Sequence, residues 1–229
     1  MKNKLNWFNV LNVILIVAVV IGDVFYIIND DLLTKALTSV CFVALGAVNL
    51  IYAIKNKITV NKFNVLMIIG LFFAMLGDIV LDIKGMFIYG ALLFAVGHIF
   101  YFLSYCQLVP FKWKDLIFGA CIFIPSTLFI VLAPFFDFGG IVMELVCVFY
   151  AVIISCMVGK SISNYVGNKT LLNLLLLVGS CLFFFSDLML LLNVFGNMPR
   201  VIGILCLATY YPAECVLACS ISKSKVKTI

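Results

Sequence analysis

Apolar residues run through this chain in long blocks separated by short polar breaks, with neither the alternation of a half-buried strand nor the narrow stripe of a water-exposed helix. Eight blocks stand out, at roughly 7 to 28, 32 to 54, 63 to 83, 86 to 109, 115 to 133, 138 to 158, 170 to 193 and 200 to 222, and at about 1.5 Å per residue each can cross a hydrocarbon core of about 30 Å as a helix. A membrane β-barrel would need short alternating segments, which the near-continuous run from Leu171 to Leu177 denies. The fold class expected is therefore an all-α polytopic membrane protein of eight transmembrane helices. The breaks are too short for a soluble domain, so residues 1–229 form a single integral membrane domain.

Composition agrees: 66% of the 229 residues are hydrophobic and 11% charged, too little polar side chain to cover a soluble globule of this size. The charged start at Lys2 and Lys4 leads into a long apolar run with no small-residue cleavage site, which reads as a retained span. Charge then sets orientation. Lys2, Lys4, Lys55, Lys57, Lys62, Lys112, Lys114, Lys160, Lys169, Lys223, Lys225 and Lys227 fall in the tails and even-numbered loops, against Lys35, Lys84 and Arg200 on the other side. That asymmetry places both termini in the cytoplasm. The net charge of +5 is a topology signal, and no folded basic surface for nucleic acid is available. Abundant Lys, Asn and Ile suggest a bacterial source, hence the bacterial cytoplasmic membrane.

The two halves look alike. Phe72-Phe73-Ala74-Met75-Leu76-Gly77-Asp78 in the third span is matched by Leu182-Phe183-Phe184-Phe185-Ser186-Asp187 in the seventh, and the following spans carry His98 with Tyr101, then Tyr210 with Tyr211. A four-plus-four parallel repeat is expected, with halves of about 7 to 109 and 115 to 222. Gly70 with Gly77, and Gly90 with Gly97, put small residues on one seam of their helices. The nine cysteines include no CxxC pair and are expected to behave as small apolar groups.

Ionisable groups inside spans carry the chemical information, because a carboxylate near the bilayer centre costs about 2.5–3.5 kcal/mol and persists only facing the bundle interior. Asp30, Asp31, Asp115 and Asp137 fall in loops or at span ends, leaving Asp23, Asp78, Asp82, Glu144, Asp187 and Glu214. Counted from the outer ends of their helices, Asp23, Asp78, Glu144 and Asp187 lie about 8–9 Å deep, one shared layer. Asp82 lies one turn from Asp78 on the same face, and Lys35 near the head of the second span is the natural counter-ion. One carboxylic acid beside another that stays ionised is what paired general acid and base catalysis requires. His98, Tyr101 and Tyr105 form one helical stripe; Tyr210, Tyr211 and Glu214 form another. A single histidine cannot build a three-histidine zinc site, and neither GxSxG nor HExxH occurs.

Leu76-Gly77-Asp78, the FAVGHIFY stretch from Phe94 to Tyr101, Ser186-Asp187, and Thr209-Tyr210-Tyr211 with Ala213 together resemble the YhhN family of membrane lysoplasmalogenases. The resemblance runs from about residue 30 to 220. Lys35 in TKALT resembles the family's lysine at the head of the second span, with Ala36 where proline commonly follows; Glu214 stands where glutamine is usual. The resemblance implies hydrolysis of the vinyl-ether bond of a lysoplasmalogen, a lysophospholipid, to a fatty aldehyde and glycerophosphoethanolamine or glycerophosphocholine, with no metal or organic cofactor. It implies Asp78 and Asp187 as the catalytic pair, and Lys35, Asp82, His98, Tyr101, Tyr210, Tyr211 and Glu214 as substrate-binding residues. Two other functions remain compatible with buried acids in a repeated bundle: a proton-coupled membrane transporter and a non-catalytic lipid-binding protein.

Overall fold

A computed structural model describes residues 7–56 and 61–224; Lys2, Lys4, Lys57, Lys225 and Lys227 of the charge pattern lie outside the described residues. The described chain is all helical: α1 (Trp7–Asn29), α2 (Leu32–Lys55), α3 (Lys62–Leu81), α4 (Phe87–Leu108), α5 (Asp115–Leu132), α6 (Ile141–Gly167), α7 (Leu171–Phe195) and α8 (Arg200–Ser220), closed by a 3-10 turn at Ile221–Lys223. All eight are long and apolar enough to cross a membrane.

Local chemistry fixes several starts. Asp31 accepts from the Thr34 amide at 2.8 Å and caps α2, and the Thr34 side chain and amide together hold its carboxyl below the usual range. Asn61 and Asn64 exchange bonds in a capping box at α3, and Thr170 caps α7 by accepting from the Asn173 amide at 3.2 Å. The α1–α2 connection is only residues 30–31, and it closes with Asp30 at φ +52°, a left-handed conformation that aspartate tolerates better than most side chains.

The buried core is built from α2, α3, α4, α6, α7 and α8, with Phe42, Met67, Tyr101, Tyr105, Met157, Leu176, Phe183 and Tyr211 among its residues; α1 adds Val19 and α5 none. Those two helices flank the rest and turn Ile14, Val17, Ile21, Ile117, Ile124 and Leu128 outward, as lipid-facing surfaces require. The expected glycine seam lies between α3 and α4: Gly70 admits the Tyr101 ring and Gly77 the Phe94 ring. Helices pack α1 on α2, α2 on α3, α3 on α4 and α2 on α8, and equally α5 on α6, α6 on α7, α7 on α8 and α6 on α4.

One loop assignment needs correction. Lys160 is not in a loop but within α6, which continues to Gly167 instead of stopping near residue 158. The extension is stabilised by polar groups that find partners inside the bundle: Lys160 pairs with Asp115 at 2.7 Å and donates to the Pro110 carbonyl at 3.3 Å, Ser163 also donates to Asp115, and Asn164 donates to the Tyr105 carbonyl at 3.0 Å. Asp115 opens α5 as expected, but with its side chain buried. Removing one member of a buried pair strands the other, which costs about 3–5 kcal/mol. Lys160→Met is therefore expected to lower the melting temperature in detergent steeply, and Lys160→Met with Asp115→Leu to recover much of the loss; equal melting of the single variant and the parent would contradict this role.

Candidate functional site

Two hydrogen-bonded carboxylate clusters occupy the bundle interior. Asp78 on α3 is 3% exposed and accepts from the Ser39 hydroxyl of α2 and from the Tyr210 hydroxyl of α8 at 2.8 Å. Toward the end of α3, Asp82 accepts from Tyr26 at 2.6 Å and pairs with Lys35 at 3.1 Å, and the Lys35 ammonium lies 4.9 Å from the centre of the Tyr26 ring. The expected counter-ion thus serves Asp82 directly. Asp187 on α7 accepts from the Tyr150 hydroxyl of α6 at 2.8 Å and lies 3.3 Å from His98 Nε2 of α4, which is 2.7 Å from the Tyr150 oxygen. The network assigns Nε2–H as donor to Tyr150, so that a chain of donors runs from His98 through Tyr150 to Asp187.

The clusters use matching helices of the two halves. Asp78 stands on α3 between α2 and α8, and Asp187 on α7 between α6 and α4. A third acid, Glu214 on α8, is wholly buried and accepts from Tyr101 at 2.7 Å, while its Oε1 has no hydrogen-bond partner among the described residues. Tyr211 is buried beside Tyr210, ring centres 4.9 Å apart.

The two aspartates do not bond to each other. An aromatic wall accompanies them: Phe94, Phe183 and Tyr210 meet edge to face with centres 5.2–6.2 Å apart, and His98 sits 4.5 Å from Phe183. Asp187 opens onto an apolar cavity walled by α4, α5, α6 and α7, with Tyr150, Phe94, Ala151 and Ile154 in its lining. A second, more polar cavity lies between α1, α2, α7 and α8, with Lys35, Arg200, Asp30 and Asn193 in its lining. Asp78 lines neither. The single layer of four acids divides. Asp23 is buried on α1 with Oδ1 unpartnered among the described residues, and Glu144, half-buried on α6, belongs to neither cluster.

Sequence reasoning missed Ser39, Tyr26 and Tyr150, the groups that hold the acids, and Phe183. Tyr150 had a readable signal, a lone hydroxyl in an otherwise apolar stretch of α6. Phe183 had none, since a phenylalanine facing lipid and one facing a site look the same in a span. Among the described residues there is no group of three or more His, Cys, Asp or Glu arranged to hold a metal ion.

Glu214→Gln preserves an acceptor for Tyr101, whereas Glu214→Leu strands a buried hydroxyl at a cost of about 1–3 kcal/mol. Thermal melting in detergent is expected to be near parental for the first and clearly lowered for the second; the reverse order would rule out this pairing.

No curated protein and no solved structure matches the chain. Residues 30–221, however, match the sequence profile of the YhhN family, a span that takes in both aspartate clusters but for Tyr26, both cavities but for the end of α1, and the whole of α2 to α8. The chain therefore belongs to the YhhN family.

Proposed function

We propose that this chain is a lysoplasmalogenase, hydrolysing the vinyl-ether bond of a lysophospholipid to a fatty aldehyde and a glycerophospho-alcohol. The observation that carries the reading is the pair of aspartates on matching helices, Asp78 buried and Asp187 half-buried, each held by hydroxyl donors, with Asp187 opening onto an apolar cavity. The family supplies the reaction class.

The chemistry follows from the bond. One aspartate in its acid form delivers a proton to the β-carbon of the vinyl ether, and the electron pair of the double bond forms the new C–H bond, leaving an oxocarbenium ion. The other, as carboxylate, steadies that cation and takes a proton from the water that attacks it. The hemiacetal then gives its hydroxyl proton to the first aspartate, now a carboxylate, while the second returns the water-derived proton to the departing glycerol oxygen; the C–O bond breaks to aldehyde and alcohol, one water is consumed and both aspartates regain their starting states. Asp187 meets the alkenyl end and is oriented by Tyr150 and His98; Asp78 is oriented by Ser39 and Tyr210.

The same reading takes the two halves as a parallel repeat, supported by their matching packing partners and by the polar staples Asn12 to Asn49 at 2.7 Å and Asp115 to Lys160 at 2.7 Å on corresponding helix pairs. It places both termini on the cytoplasmic side of a bacterial inner membrane, on the lysine distribution.

Purified protein incubated with a lysoplasmalogen is expected to release aldehyde, and with the matching ester lysolipid no fatty acid. Asp78→Asn and Asp187→Asn are each expected to reduce aldehyde release at least a thousandfold while the protein still melts cooperatively in detergent. Parental turnover in either variant would reject the pair, and uptake of an intact lipid or solute into proteoliposomes without cleavage would favour a transporter.

A further inference from the structure

Only three of the chain's cations were assigned to the face formed by the odd-numbered loops: Lys35, Lys84 and Arg200. Two of the three line one cavity. Lys35 is 5% exposed in its wall, at the head of α2, and Arg200 is the first residue of α8, where the free amides of the helix start add positive potential. One Arg200 Nη2–H donates to the Ile27 carbonyl at 2.7 Å, which anchors the guanidinium across the end of α1 and leaves most of its five N–H donors uncommitted. Asp30, held at φ +52° in the tight α1–α2 turn, and Asn193 complete the polar lining. Behind Lys35, Asp82 balances its charge.

This arrangement is not that of a simple anion site. A guanidinium, an ammonium and a carboxylate line one cavity, and Leu190 belongs both to its wall and to the wall of the apolar cavity. A molecule whose charged end carries a phosphodiester and an amine would match the polar side, and its hydrocarbon end the apolar side. We propose that the polar cavity is the headgroup subsite of a zwitterionic lysophospholipid, Arg200 and Lys35 binding the phosphodiester and Asp30 the ammonium.

The proposal deepens the vinyl-ether reading, and its test does not depend on cleavage. Ester lipids carry no vinyl ether, so binding of lysophosphatidylethanolamine, lysophosphatidylglycerol and monoacylglycerol of one chain length to the full chain in detergent reports the headgroup alone. Affinity is expected to fall in that order. Arg200→Gln is expected to weaken both phospholipids about tenfold or more and leave monoacylglycerol unchanged, with Arg200→Lys between. Asp30→Asn, which keeps a side chain tolerant of positive φ, is expected to weaken the ethanolamine lipid about fivefold and to spare or improve the glycerol lipid. Equal binding of all three lipids, an Arg200→Gln variant that binds them as the parent does, or an Asp30→Asn variant that shifts both phospholipids alike would each overturn the subsite. Competition by inorganic phosphate as strong as by glycerophosphoethanolamine would instead mark a free-anion site and equally overturn it. If the lipids bind as expected but no lysoplasmalogen is cleaved, the subsite stands and the catalytic reading falls.

Discussion

Everything in this bundle answers to the cost of placing a carboxylate where water is scarce. Each interior acid described in hydrogen-bonding detail has a hydroxyl or a cation from another helix: Ser39 and Tyr210 for Asp78, Tyr26 and Lys35 for Asp82, Tyr150 and His98 for Asp187, Tyr101 for Glu214. The donors come across helix contacts, so satisfying the acids and assembling the tertiary structure are one event. Glycines at Gly70 and Gly77 let the rings of Tyr101 and Phe94 approach α3 closely enough for this. Stability and chemical competence therefore draw on the same hydroxyls, and a change at any of them acts on both.

The helix count and nearly every boundary were legible in the chain, because hydrocarbon thickness imposes a length that hydropathy reports directly. The acids Asp78, Asp187 and Glu214 stood out for the same reason, as charges in apolar runs. What could not be read was partnership. Lys160 looks like a loop cation beside Lys169 until α5 packs on α6 and brings Asp115 against it. Glu144 and Asp187 have the same depth by count, yet only Asp187 joins a hydrogen-bonded cluster, since depth along a helix says nothing about azimuth. The aromatic wall was invisible because the ring that plugs an interior and the ring that greets lipid obey one hydropathy scale.

Two interior spaces of opposite character, one lined by aliphatic and aromatic side chains and one by charges, adjoin at Leu190. An amphiphile fits such a divided interior better than a purely polar solute or a purely apolar one. This favours a lipid over a small ion as the occupant.

The outlying position of α5 carries one more implication. Ser126 and Ile130 of this helix close one flank of the apolar cavity, yet the helix adds nothing to the central core, and the chain just beyond it carries Gly139 at φ +65° and Gly140 at φ +147°. Its hold is on α6, through the buried Asp115–Lys160 pair and the close approach of Gly119 to Gly159, so one helix alone separates the cavity from lipid on that flank. On the proposed reading, an aldehyde formed beside Asp187 lies a single helix away from the acyl chains of the membrane.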